Sequence, residues 1–204
     1  MKVIGLAGGS GTGKSTIAAH LASRGAVHID ADRVAHDVLV GDEGVVRAIR
    51  ERFGDGVLTG GRVDRAKLGK VVFADGDSLD ALNAIVHPAV LEVCRRELEK
   101  CENDGAALAV VDAALLLEVD APFRIDLVIA LRASRDEQAR RLSAKGGATR
   151  EEIEARLDSQ RRLEGSYADA DVVLDTTKPL ALVLAEVDRV VDALLEDDSN
   201  EDDD

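Results

Sequence analysis

Cysteine is nearly absent from the sequence, and the two present cannot close on each other. Cys94 and Cys101 lie seven positions apart in a stretch of helical periodicity. At the helical rise their Cα atoms would be about 10 Å apart, beyond disulfide reach. They read as reduced thiols that pack, in a cytoplasmic protein. Stability must then come from burial, and hydrophobic residues make up 46% of the 204 positions, enough for one sizeable core. Long apolar runs are missing as well. No stretch approaches the roughly eighteen uninterrupted apolar residues of a membrane span. The opening MKVIGLAGGSG has a single Lys and glycines through its apolar run, so no signal peptide is expected.

Basic charge is scarce too. Lys and Arg number 26 against 40 Asp and Glu, a formal net charge of −14. The last nine residues, EDDSNEDDD (196–204), hold seven of those acids and read as a solvated, disordered tail. Without them the charge is still −7, which argues against general nucleic-acid binding. One segment runs the other way: Arg132–Arg162 has nine Lys or Arg against six Asp or Glu. Surface ion pairs at helical spacing account for part of that excess, and a face turned toward phosphates would also account for it.

Continuous apolar runs at Val3–Ala7, Ala26–Ile29, Ala107–Val111, Asp126–Leu131 and Asp171–Leu174 suit strands covered on both faces, as in a parallel sheet. Ser15–Ser23 has a helical pattern, and from Ala31 to Asn103 the signals are nearly all helical. In the last of these helices Pro88 removes a backbone bond, so a kink or break is expected near His87. Thr177–Pro179 is a good start for a final helix. There is no internal repeat. The expectation is an open five-stranded parallel sheet flanked by helices, with a helical insertion between its second and third strands.

GGSGTGKS, Gly8–Ser15, matches G-x-x-x-x-G-K-[ST] directly after a strand and at the start of a helix. Such glycines turn backbone N–H groups inward around a phosphate, the lysine reaches β/γ oxygens, and the hydroxyl of Ser15 can hold Mg²⁺. Gly9, Gly11, Thr12, Gly13, Lys14, Ser15 and Thr16 are therefore the nucleotide-binding candidates. A GTPase is not indicated, since Thr177-Lys178-Pro179-Leu180 lacks the Asp that reads guanine. Arginine-finger ATPases end a long strand in paired acids, whereas LAVVD ends in the single Asp112. A small-molecule kinase with a helical acceptor-binding insertion and a basic lid fits better.

Asp30 and Asp32 follow the second strand, at the carboxyl edge where the phosphates of a parallel sheet are held. A carboxylate there can take or orient the proton of an acceptor hydroxyl. Asp is also a favoured helix N-cap, so one of the two caps the helix that follows; composition and spacing do not say which.

The ordered series GLAGGSGTGKST, DADRVAHDVL, FGDGVL…GRVDRAKLGKVVFAD, LNAIVHPAV, LLLE and TREEIEARLDSQ resembles dephospho-coenzyme A kinase over nearly all of Met1–Leu195. The phosphate loop is shared with many kinases. The DAD-x-x-A-H segment followed by VDR-x-x-LG and HP is specific to this family. The resemblance implies a P-loop kinase that phosphorylates the ribose 3′-hydroxyl of dephospho-coenzyme A with ATP and Mg²⁺. Asp32 and Lys14 would be catalytic, with Asp30 supporting or capping. Asp30, His36, Arg65 and His87 become acceptor-site candidates, and Arg141, Lys145 and Arg156 lid candidates. For Arg65, pairing with nearby acids stands beside a place near the acceptor. For His87 a kinked-helix role stands beside substrate contact. Arg156 and Gln160, four apart on the lid helix, face either nucleotide or solvent.

The chain departs from the family pattern at Ala7, where Thr is usual, and at Asp112-Ala113-Ala114, where Pro precedes the leucines. It departs again at Lys145, commonly Arg, and at Thr176, usually Asn. The implied organisation is a core of 1–32, 105–135 and 167–195, an acceptor-binding insertion over about 33–104, a lid over about 136–166, and the acidic tail. A monomer or weak homo-oligomer is expected, without nucleic-acid or membrane partners. The alternatives are another P-loop kinase such as shikimate kinase, or a non-catalytic nucleotide switch.

Overall fold

A computed structural model of the chain describes residues 1–72, 76–114, 116–161 and 163–199. The apolar run after Met1 forms β1 (Lys2–Ala7), which stops where the glycines begin, and Lys14 opens α1 (Lys14–Ser23). Gly25 turns the chain at positive φ into β2 (Val27–Asp30). Asp30 then caps α2 (Ala31–Gly41), its Oδ1 accepting from the Arg33 N–H at 3.0 Å. Asp42 does the same for α3 (Glu43–Phe53), accepting from Val45 at 2.9 Å, and Gly54 ends that helix.

A 3₁₀ turn over Asp55–Val57 leads into an antiparallel hairpin of β3 (Leu58–Thr59) and β4 (Arg62–Val63), turned by Gly60 and Gly61 at positive φ. This hairpin interrupts the stretch expected to be nearly all helical. Two residues per strand are too few to show alternation, and the Gly-Gly pair is its one local sign. Asp64, accepting from the backbone of Ala66 and Lys67, precedes α4 (Arg65–Val72). Next comes α5 (Gly76–Asn103), which continues through Pro88 without a break. Val86 and Val90 are buried on either side of the proline, and their packing sustains the helix despite the lost bond. Cys94 and Cys101 are buried thiols on α5. Burial pushes the Cys94 thiol up to about 11, which keeps it inert.

The rest of the chain gives β5 (Leu108–Asp112), β6 (Leu127–Arg132), α6 (Arg135–Lys145), α7 (Arg150–Ser159), the short α8 (Leu163–Ser166), β7 (Val172–Asp175) and α9 (Leu180–Ser199). The last helix corrects an expectation. It carries helical structure through residues 196–199 of the supposed disordered tail; residues 200–204 lie outside the described residues. Helix propagation beyond a packed stripe needs no burial of its own, so acidic composition does not end the helix at Leu195.

Five strands form one parallel sheet in the order β2-β5-β1-β6-β7. The register sets Leu6 opposite Asp112 and Ala7 opposite Ala130, at the edge where β1 gives way to the glycine loop. One sheet face packs on α1 and α9 through Ile4, Leu6, Leu21, Ile129, Val183 and Val187. Ala7, Ala130, Leu116, Leu163 and Tyr167 form a second apolar cluster.

The chain divides into two compact units, Met1–Ile29 with the chain from Leu98 onward, and Asp30–Glu97. The first holds the sheet. The second has its own apolar interior, including Val38, Ile49, Val57, Val63 and Leu68. Leu21 is fully buried among the α9 valines. Leu21→Ala should therefore lower unfolding free energy by about 2–5 kcal/mol, measured by denaturant titration.

Candidate active site

The loop between β1 and α1 is held by hydrogen bonds that fall mostly on its carbonyls. Thr12, fully buried, donates its hydroxyl to Gly9 O at 2.8 Å. Thr176 donates to Thr12 O at 2.7 Å, and Arg141 to Gly11 O at 3.2 Å. Thr16 and Ile17 donate to Gly13 O. Among the described residues nothing accepts from the N–H groups of Gly11, Gly13, Lys14 or Ser15. Helix α1 has no side-chain cap and no acid in its first turn, which leaves its positive end suited to an anion.

Two loop glycines are required by contact as well as conformation. Gly8 has φ +146°, and a Cβ there would lie 2.7 Å from Leu131 O. Gly11 has φ +78°, and a Cβ would lie 2.9 Å from Gln138 O. Both neighbours are backbone, so any larger residue would push the loop off its seat.

Lys14 Nζ lies 3.7 Å from Asp112 Oδ1, with side chains only 10% and 9% exposed. His28 Nε2, on β2, approaches the other carboxylate oxygen at 3.8 Å. The sequence showed Asp112 only as a single acid ending a strand. Its partnership with Lys14 depends on β1 and β5 being neighbours, which strand order alone decides. Neutralising one member of so buried a pair leaves the other uncompensated. Ser15 and Thr16 are exposed in the first turn of α1.

Arg141 is no bare lid cation. It donates to Glu137 and Gly11 O, to Thr176 Oγ1 at 3.1 Å and to Thr176 O at 2.6 Å. It thereby ties α6 to the loop after β7. The Arg140 guanidinium, with help from Arg141, holds the Glu137 carboxyl down at about 2. Arg135 pairs with Glu154 and Asp158, and Arg132 with Asp175 at 3.9 Å. Ion pairing thus absorbs much of the local basic excess. Lys145 and Arg156 are exposed. Gln160 faces the loop: its Oε1 accepts from Ser10 N–H at 2.7 Å, while the Tyr167 hydroxyl accepts from Gly9 N–H at 3.2 Å. Sequence reasoning missed Tyr167 and the scaffolding role of Thr176; neither lies within a motif.

In the second unit the capping carboxylate is Asp30, and Asp32 sits exposed in the first turn of α2. Asp32 makes no hydrogen bond or ion pair among the described residues. Arg65 donates to His36 Nδ1 at 2.8 Å, which leaves the neutral ring with its N–H on Nε2. His87 is half-buried within α5.

The profile of the dephospho-CoA kinase family matches residues 2–181. A dephospho-CoA kinase of Geobacter sulfurreducens is 39% identical over 176 residues, covering 86% of this chain and 89% of that protein. One of Streptomyces avermitilis is 44% identical over 183 residues, covering 88% and 87%. A crystal structure from Thermus thermophilus superposes with TM-score 0.77 at 33% identity, covering 94% of this chain and 96% of that one.

Thr176 tests the scaffold. Its buried hydroxyl both donates to Thr12 O and accepts from Arg141. Thr176→Val keeps the shape and strands both partners, so stability should fall by about 1–3 kcal/mol. Thr176→Ser should recover most of that loss. Chemical denaturation of the two variants is the measurement.

Proposed function

The chain belongs to the dephospho-CoA kinase family, and from that premise we propose how its own residues carry phosphate from ATP to the ribose 3′-hydroxyl of dephospho-coenzyme A. The observation that carries the reading is the glycine loop, whose N–H groups at Gly11, Gly13, Lys14 and Ser15 stay unspent while its carbonyls are bonded. Those donors and the Lys14 ammonium bind the triphosphate. Gly9, Thr12 and Thr16 complete the loop. Asp112, 3.7 Å away, holds the Lys14 ammonium in place.

Asp32 takes the proton of the acceptor hydroxyl or orients it in line. The hydroxyl oxygen then bonds to the γ-phosphorus as the bond to the bridging oxygen breaks, and ADP leaves. The exposed Ser15 hydroxyl is an oxygen donor suited to a hard cation, and it would hold Mg²⁺. When bound, the ion neutralises charge on the phosphate oxygens. Of the three lid candidates, Lys145 and Arg156 are left to face charge developing in transfer, while Arg141 secures the loop.

The unit Asp30–Glu97 is assigned to the acceptor. Arg65 and the outward N–H of His36 make a donor pair suited to the diphosphate of dephospho-coenzyme A, and His87 supports it from α5. The enzyme works in the cytoplasm as a monomer or weak homo-oligomer, with no nucleic-acid or membrane partner. Supporting this are its buried thiols, its acidity, and the lack of any helix among the described residues long and apolar enough to cross a membrane. A shikimate kinase activity is not favoured, because the family match spans residues 2–181 and relatives at 39% and 44% identity share the dephospho-CoA kinase name.

A panel of acceptor alcohols assayed for ADP release tests the whole reading. Dephospho-coenzyme A should stimulate release strongly, shikimate should not, and Lys14→Ala should abolish the stimulated rate in a folded protein. Acceptor-independent turnover would sink the kinase assignment.

The two acids of the DAD segment should separate by measurement. Asp32→Asn should lower kcat about 10²–10⁴-fold with little change in ATP affinity. Asp30→Asn should instead lower stability, by about 1 kcal/mol or less because Asn also caps, with a modest effect on rate. A reversed pattern in kcat would exchange their roles.

A further inference from the structure

Two donors of the phosphate loop are held by side chains. Ser10 N–H goes to Gln160 Oε1 and Gly9 N–H to the Tyr167 hydroxyl. Gln160 forms the C-cap of α7 with its own N–H bonded to Asp158 O, so its backbone is fixed at the helix end. The approach is close in space too: a methyl group at Gly9 would lie 3.3 Å from Gln160 Oε1. Beside this contact opens a cleft of about 230 Å³, lined by Gly9, Arg135, Gln138, Leu157, Gln160, Arg161 and Tyr167. Arg135 there is already paired with Glu154 and Asp158, and the Arg161 guanidinium, two amides and a phenol around a glycine suit an oxyanion.

Resting on the kinase reading for the identity of that anion, we propose that Gln160 is a phosphate-binding residue that acts as a clasp. Its amide oxygen holds Ser10 N–H, and an arriving nucleotide phosphate displaces it. A phosphate oxygen is the stronger acceptor, so it wins the Ser10 donor. The displaced amide oxygen cannot face the anion. A half-turn about the last side-chain torsion, which is broad and nearly two-fold, brings Nε2–H to the phosphate instead. The same side chain thus closes α7 onto the loop before and after the exchange, once as acceptor and once as donor. An amide can do both, whereas a carboxylate of the same length can only accept.

That chemistry separates the clasp from a merely structural contact. A carboxylate accepts Ser10 N–H at least as well as the amide but has nothing to donate and repels phosphate. The probes are ADP and a non-hydrolysable ATP analogue, titrated by calorimetry against wild type, Gln160→Glu and Gln160→Ala, with thermal unfolding of each protein alone. Gln160→Glu should keep its melting temperature and lose about tenfold or more in affinity for both nucleotides. Gln160→Ala should lose less, about threefold. Gln160→Glu binding within about threefold of wild type, or Gln160→Ala binding more weakly than Gln160→Glu, would overturn the clasp. A wild type that binds the analogue but does not phosphorylate dephospho-coenzyme A would sink the functional reading and leave this comparison intact.

Discussion

A phosphate loop has to be rigid without consuming the donors it offers, and this constraint organises the first unit. An unpaired N–H is costly when buried, so most proteins bond theirs. Here the carbonyls of Gly9, Gly11, Thr12 and Gly13 take the bonds that fix the loop. The donors to them come from every side: Thr12 from within the loop, Arg141 from α6, Thr176 from the turn after β7, and Thr16 and Ile17 from α1. The backbone of β6 and α6 also presses on Gly8 and Gly11 so closely that a Cβ has no room. Parallel order matters because it sets β6 and β5 on either side of β1. Rigidity is imported from neighbouring elements, and the N–H groups of Gly11, Gly13, Lys14 and Ser15 are left unspent while those of Gly9 and Ser10 are held by Tyr167 and Gln160.

Charge follows the same economy. In an acidic protein, cations near the loop are placed against specific acids rather than pooled. Lys14 has Asp112, Arg135 has Glu154 and Asp158, and Arg140 and Arg141 share Glu137. Exposed pairs of this kind contribute little stability in salt, so their value lies in geometry. Glu137 aims Arg141, and Arg141 then holds Gly11 O and Thr176. Among the described residues the Lys14–Asp112 pair is the most buried of these, with side chains 10% and 9% exposed, and there a lost partner would leave a poorly solvated charge.

Much of this was legible before the fold was known, and the boundary has a physical cause. The central strands β1, β5 and β6 announce themselves as apolar runs because they are covered on both faces, whereas the edge strands β2 and β7 are partly exposed. The loop and α1 are written as one motif whose residue types are dictated by phosphate. The β3–β4 hairpin was not visible, since two residues a side carry no periodicity. At Pro88 the helix does not break, and buried valines flank the proline on both sides. Composition misled over residues 196–199, where α9 propagates. Asp112, Thr176 and Tyr167 escaped because their roles exist only through strand neighbours and contacts 98 to 164 positions away in sequence. A motif records what the ligand requires of a segment. It does not record what the segment requires of the rest of the chain.

The two acids after β2 show how far local physics can take a functional assignment. They sit one residue apart at the start of the same helix, so composition treats them alike. Capping does not. A cap residue lies outside the helix in extended conformation, where its short side chain can turn back to the third N–H. Asp30 has that backbone, with φ −90° and ψ 99°, and its carboxylate is committed to Arg33 N–H. Asp32 is already inside the first turn, where a side chain projects outward and has no orphan donor to meet. The helix therefore spends one carboxylate to begin and leaves the second exposed two residues on. Asp32, exposed in the first turn, complements the helix dipole but does not cap, so replacing it leaves the cap that starts the helix in place.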